Sequence, residues 1–107
     1  MAAADPDFKA ELKRGLARVP FEIAQDAAIV QTLRAATTKV MGATPKWRGE
    51  PFWTDCAILQ SAGIPCVMFG ADGGGAHAKT EWADVESVAK LAEVLTEVAV
   101  RFCGGGI

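Results

Sequence analysis

The chain has 107 residues, of which 50% are hydrophobic and 22% charged, with a formal net charge of -2. That balance excludes intrinsic disorder, and the glycines cluster instead of recurring every third residue, which excludes a collagen-like chain. No apolar run approaches the roughly 20 residues of a bilayer span, Met1 to Asp7 has neither basic flank nor apolar stretch, and no basic stripe invites nucleic acid.

The length predicts one small domain with a radius of gyration of about 13 Å. Asp5 and Pro6 suit the N-cap and first position of a helix whose stripe is Phe8, Leu12 and Leu16, weakened by Gly15. Val19 to Ala24 reads as a short strand, with Pro20 confining it to an edge or a strand start. Asp26 is the expected cap of a second helix carrying Ile29, Val30, Leu33, Ala36, Val40 and Met41, ended by Gly42. Gly42 to Trp53 is a loop that concentrates Trp47, Phe52 and Trp53. Thr54 then opens a short helix to Ala62, closed by Gly63, and Ile64 to Phe69 suits a strand buried on both faces.

Gly70 to Trp82 is a glycine-rich loop. Asp84 caps the last helix, with Val85, Val88, Leu91, Leu95, Val98 and Phe102 as its apolar face and Gly104 to Gly106 as a tail. The order is helix, strand, helix, helix, strand, helix, an α/β arrangement with too few strands to complete a sheet around its helices. Cys56, Cys66 and Cys103 have no CxxC spacing and read as reduced thiols of a cytoplasmic protein, with Cys103 the exposed one.

Chemistry concentrates between Ile64 and Trp82. An apolar strand feeds small residues, then His77, the only histidine of the chain, and then Glu81. Glycine permits close backbone approach, neutral imidazole is a common zinc ligand, and loops beyond strand ends are where α/β proteins bind ligands. Three readings compete. One is a solvated surface loop with a solvated histidine. A second is a phosphate cradle, since Gly73 to Thr80 (GGGAHAKT) is one position from GxxxxGKT, with Ala78 where the second glycine belongs. The third is a metal-ligand loop.

The third reading gains specificity from a resemblance. Gly49 to Gly70 (GEPFWTDCAILQSAGIPCVMFG) and Gly73 to Trp82 (GGGAHAKTEW) are similar to the C-terminal part of the di-zinc amidohydrolases and exopeptidases. That family includes acetylornithine deacetylase, succinyl-diaminopimelate desuccinylase, aminoacylase and glutamate carboxypeptidase. The likeness extends upstream, where Asp7 to Ile23, with Arg18-Val-Pro-Phe-Glu22, resembles the last helix and strand of the family's lid. It implies a fragment of a three-layer α/β/α catalytic domain, residues 25–107, preceded by the end of a ferredoxin-like lid or dimerisation domain, residues 1–24. His77 would be the last metal ligand, and Glu81 would support its loop. Thr54 and Asp55 would open the short helix beside the substrate, and Gly73, Gly74 and Gly75 would bring backbone N–H groups towards a substrate carboxylate. Ala71 and Ala83 replace the family's usual proline and valine, and neither change removes a chemical group.

The implied cofactor is a pair of zinc ions, of which this chain offers at most one ligand. Zinc polarises an amide carbonyl and lowers the pKa of bound water to about 7. The implied substrate is an N-acyl amino acid or small peptide. The remaining ligands and general base belong to the family's N-terminal half, and neither a Glu-Glu pair nor a His-x-Asp motif occurs here. The chain alone is therefore expected to have little or no catalysis, needing that half or a homodimer partner, with no nucleic acid and no membrane involved. The competing function is a non-catalytic α/β binding or assembly module, motivated by amphipathic helices around too few strands.

Overall fold

The helices form where local end signals and an apolar face coincide. A computed structural model describes residues 4–104. Helix α1 is Ala28–Met41, α2 is Cys56–Ser61 and α3 is Val85–Ala99, and a π-helical turn, Val100–Gly104, continues α3. Strands β1, Gly73–Gly74, and β2, Trp82–Ala83, pair antiparallel with Gly73 opposite Ala83 and Gly74 opposite Trp82. The content is mixed helix and small sheet, compatible with an α/β fragment.

The predicted helix ends are largely met. Gly42 has φ +71° and its N–H donates to the Thr38 carbonyl at 2.9 Å, closing α1. After α2, Gly63 has φ +80° and donates to the Gln60 carbonyl, while Ile64 donates to the Leu59 carbonyl, both at 2.9 Å. That pair of bonds is a Schellman closure. Asp84 accepts from the Ser87 N–H at 2.7 Å, the expected cap of α3. The predicted cap at Asp26 is corrected: the N-cap residue of α1 is Ala27, with no side-chain cap bond, and the Gln31 amide donates to the Gln25 carbonyl at 2.6 Å instead.

The core lies between α1 and α3. Leu33, Ala36 and Val94 form its buried cluster, with Val40, Val67 and Val98 packed against it. The expected face of α3 is therefore corrected in register. Val94, only 1% exposed, is its buried centre, whereas Val85, Val88, Leu95 and Phe102 are exposed. At the rim, Lys39 Nζ of α1 lies 2.9 Å from both carboxylate oxygens of Glu97, which also pairs with Arg101. Hydrogen bonds from Lys39 first and Arg101 second hold the Glu97 carboxyl below its ordinary value. A depressed folded-state pKa gives stability that is present above the ordinary carboxylate range and lost as pH falls through the lower, folded value. The expected acid titration shows a small loss of α1–α3 stability in that window, reduced in high salt. Glu97→Gln should flatten it, and chemical denaturation at a series of pH values measures the difference.

Three predicted elements are corrected. The helix from Pro6 to Leu16 does not form. Asp5 makes its capping turn, accepting from the Asp7 N–H at its carboxylate (3.0 Å) and from the Phe8 N–H at its carbonyl (3.1 Å), but no helix propagates. Leu12 and Leu16, 94% and 81% exposed, have nothing to pack against, and a short helix without a packed face is marginal in water. Val19 to Ala24 and Ile64 to Phe69 are not strands, because no strand lies beside either among the described residues. The first is instead held side-on to α2. The Trp53 indole donates to the Val19 carbonyl at 3.1 Å, the Arg18 guanidinium sits 4.7 Å from the Trp53 ring centroid, and the Gln60 amide donates to the Glu22 carbonyl. In the second, Cys66, Val67 and Met68 are half-buried while Ile64 and Phe69 are exposed, so it is not covered on both faces.

The radius of gyration is 19.8 Å, not the expected ~13 Å. The helical core is local, and residues 8–24 before it form neither helix nor strand and are mostly exposed. The Cys66 thiol donates to the Cys56 carbonyl at 3.3 Å, and burial raises its pKa, while Cys103 is exposed. Of the predicted tail, Gly105 and Gly106 lie outside the described residues.

Candidate functional site

The expected loop from Gly70 to Trp82 is corrected to a β-hairpin, and it carries most of the predicted site. Its strands have little side-chain propensity for pairing. What permits them is the near absence of side chains on one of the two. A Cβ on Gly73 would overlap the Trp82 carbonyl oxygen, and one on Gly74 would lie 2.9 Å from the Trp82 indole nitrogen. Gly75 combines φ +71° with a position where a Cβ would overlap the Thr80 carbonyl oxygen. Gly75 also starts the return of the loop, since its carbonyl accepts from the Ala78 N–H at 2.8 Å.

Gly75→Ala is therefore expected to undo the hairpin. The left-handed backbone alone costs a side chain about 1–2 kcal/mol, and the overlap with Thr80 adds to it. Gly42→Ala, at the same φ of +71° but in open space, should bear the backbone cost alone. Loss of the cross-strand contacts between residues 73–74 and 82–83 in NMR spectra of the first variant, with their retention in the second, is the expected pattern.

The hairpin lifts His77 to its turn. His77 is exposed and has φ +63°, the only non-glycine residue with positive φ among those described. A side chain in this region is uncommon and marks a position imposed by the surrounding chain. Glu81, also exposed, immediately precedes β2. Along the ladder, Asp84 N–H donates to the Asp72 carbonyl at 2.8 Å, so Gly73 and Ala83 form the intervening non-hydrogen-bonded pair. The Gly73 N–H is thus not used by the ladder.

Gly73, Gly74, Gly75, His77 and Glu81 share this one hairpin. Thr54 and Asp55 do not belong to it. They lead into α2, where the Asp55 carbonyl accepts from Ile58 and Leu59 at 3.0 and 3.1 Å and its exposed carboxylate makes no cap bond. The Thr54 hydroxyl oxygen is buried without a hydrogen-bond partner. No described hydrogen bond joins either residue to the hairpin.

The phosphate-cradle reading fails on geometry. Such a loop hands its ligand to a helix that starts at the Lys-Thr pair, whereas α3 starts at Val85. The tryptophans of these loops, Trp47, Trp53 and Trp82, are all exposed. The cavity lined by Ile23, Ala24, Ala27, Gln60, Gly63 and Pro65 contains none of the predicted site residues.

Among the described residues no group of three or more His, Cys, Asp or Glu side chains is placed to hold a metal ion. The donor set of this chain is a single imidazole, which does not fit a closed zinc site on its own. No helix among the described residues is long and apolar enough to cross a membrane.

One residue of the hairpin's support escaped the sequence reading. Ser87 lies in the first turn of α3 and reaches back to Asp72 at the foot of β1. The signal was present as a polar residue three positions after the cap, the spacing at which side chains return to a helix start.

Residues 7–101 match the model of peptidase family M20/M25/M40. A succinyl-diaminopimelate desuccinylase of Sulfurovum sp. (strain NBC37-1) is 31% identical over 99 residues, 92% of this chain. The chain spans 26% of that relative's length. No solved structure matches it significantly.

Proposed function

Because the chain belongs to peptidase family M20/M25/M40 over residues 7–101, we propose that it is the C-terminal segment of a zinc-dependent metallohydrolase cleaving linear amides. Its substrates are N-acyl amino acids or small peptides, and the relative named as a desuccinylase supports that class. The observation that carries the reading is His77: an exposed imidazole with φ +63°, raised at the turn of the hairpin that the glycine strand and Trp82 form together. An imidazole so presented offers one lone pair to a cation held chiefly by other groups. Gly73, with its N–H outside the ladder, is placed to donate to a substrate carboxylate. Glu81 stays close in sequence to support the turn.

The other ligands and the general base come from polypeptide outside these 107 residues. The surface supports this. Phe8, Leu12, Leu16, Val85, Val88 and Leu95 are all exposed, large apolar side chains that further polypeptide would cover. In that assembly residues 25–107 complete a three-layer α/β/α catalytic domain, and residues 1–24 end a lid. Ile64 to Phe69 would find its neighbouring strands there, which explains why an apolar run with strand composition stands unpaired.

Joining this chain to the N-terminal three quarters of the Sulfurovum desuccinylase tests the proposal. Amide hydrolysis of N-succinyl or N-acetyl amino acids, absent from either piece alone, is expected. A soluble, folded hybrid inert towards every such amide counts against it. The same exposed surface also suits a non-catalytic assembly module, and for that reading the hybrid would bind its second piece yet hydrolyse nothing.

A further inference from the structure

The hairpin is fastened to α3 at one point. The Ser87 hydroxyl accepts from the Asp72 N–H at 2.9 Å and donates to the Asp84 carbonyl at 2.8 Å. Asp84 N–H donates to the Asp72 carbonyl at 2.8 Å, and the Asp84 carboxylate accepts from the Ser87 N–H at 2.7 Å. Residues at the foot of β1, the end of β2 and the first turn of α3 are thus closed into one ring of hydrogen bonds. Beyond that ring the strands are only Gly73–Gly74 and Trp82–Ala83, too short to define an angle by themselves.

We propose that Ser87 is a positioning residue, whose hydroxyl fixes the angle at which the hairpin carries His77 away from α3. The consequence for catalysis rests on the zinc-ligand reading of His77, but the clamp itself does not. The chemistry separates the two roles of the ring. The cap of α3 uses the Ser87 backbone N–H, which any residue retains. The hold on Asp72 uses the hydroxyl, which Ser87→Ala removes. A helix that survives with a loosened hairpin is therefore the signature of the clamp, and Ser87→Thr, which keeps a hydroxyl, restores it.

Amide hydrogen exchange by NMR on the 107-residue chain decides this. In Ser87→Ala the Asp72 and Asp84 amides should exchange about five- to tenfold faster, the scale of one lost hydrogen bond, with Val94 unchanged. The Trp82 indole N–H resonance, whose ring lies over Gly74, should move as well. Ser87→Thr should return both readouts towards the native values. Unchanged exchange at Asp72 in Ser87→Ala, an equal acceleration at Val94, or no recovery in Ser87→Thr would overturn the clamp. The measurement uses neither metal nor amide substrate, so it fails or succeeds apart from the zinc reading. Inactivity of the completed hybrid would end that reading and leave the exchange result standing.

Discussion

His77→Ala in the completed hydrolase should lower kcat/KM by at least about a hundredfold. Losing an outer partner of a metal ligand already costs 10- to 100-fold in affinity or activity, and losing the ligand costs more. The loss should fall mainly on kcat, because the metal acts on the charge that develops in the transition state. A loop histidine that were merely solvated would change neither parameter. Glu81→Gln separates the supporting role from the ligand role. It keeps the side-chain shape and a hydrogen-bonding oxygen, so the expected loss is smaller than for His77→Ala. Steady-state kinetics on an N-acyl amino acid measures both variants, and equal rates for native and His77→Ala proteins would remove His77 from the site.

Leu33→Ala should separate α1 from α3. Leu33 is 6% exposed and packs in the cluster with Ala36 and Val94. Such a truncation costs about 2–4 kcal/mol, from lost transfer energy and from the cavity left behind. In most domains this is a fraction of the total stability, but here the helices share one small core with few other buried groups. The expected result is loss of cooperative unfolding in urea, followed by circular dichroism. Leu12→Ala is the matched control, the same chemical change at a side chain 94% exposed, and should shift stability by less than about 0.5 kcal/mol. Equal effects of the two substitutions would mean that the α1–α3 contact is not what holds this chain together.

The difference between those two leucines also shows what was legible in the sequence. Most signals that act within one turn were read correctly, the cap expected at Asp26 excepted: Gly42 and Gly63 close helices through left-handed backbone, and Asp84 caps through its own carboxylate. Signals that depend on a remote partner were not. Phe8, Leu12 and Leu16 have helical spacing, yet spacing stabilises a helix only when something covers the stripe. Ile64 to Phe69 has strand composition, yet a strand exists only beside another. The reverse error occurred at Gly73–Gly74, where two glycines read as loop form a ladder because Trp82 needs the space that their missing side chains leave. Val94 was overlooked because the apolar residues of α3 outnumber those α1 can cover, so periodicity alone did not select the stripe. That His77 and Glu81 stand with Gly73 to Gly75 in one local unit was legible, since His77 is the chain's single histidine and its flanking motif is distinctive. Its geometry was not, because it depends on Ser87, whose hydroxyl contributes nothing to an apolar pattern.

The central claim is that His77 is one ligand of a metal site completed by other polypeptide. Zinc titration of the completed protein, native against His77→Ala, with metal content followed through dialysis, tests it most directly. The account predicts two zinc ions per native protein and, in the variant, one site weakened by at least about a hundredfold. Superimposable binding curves for the two proteins would contradict it.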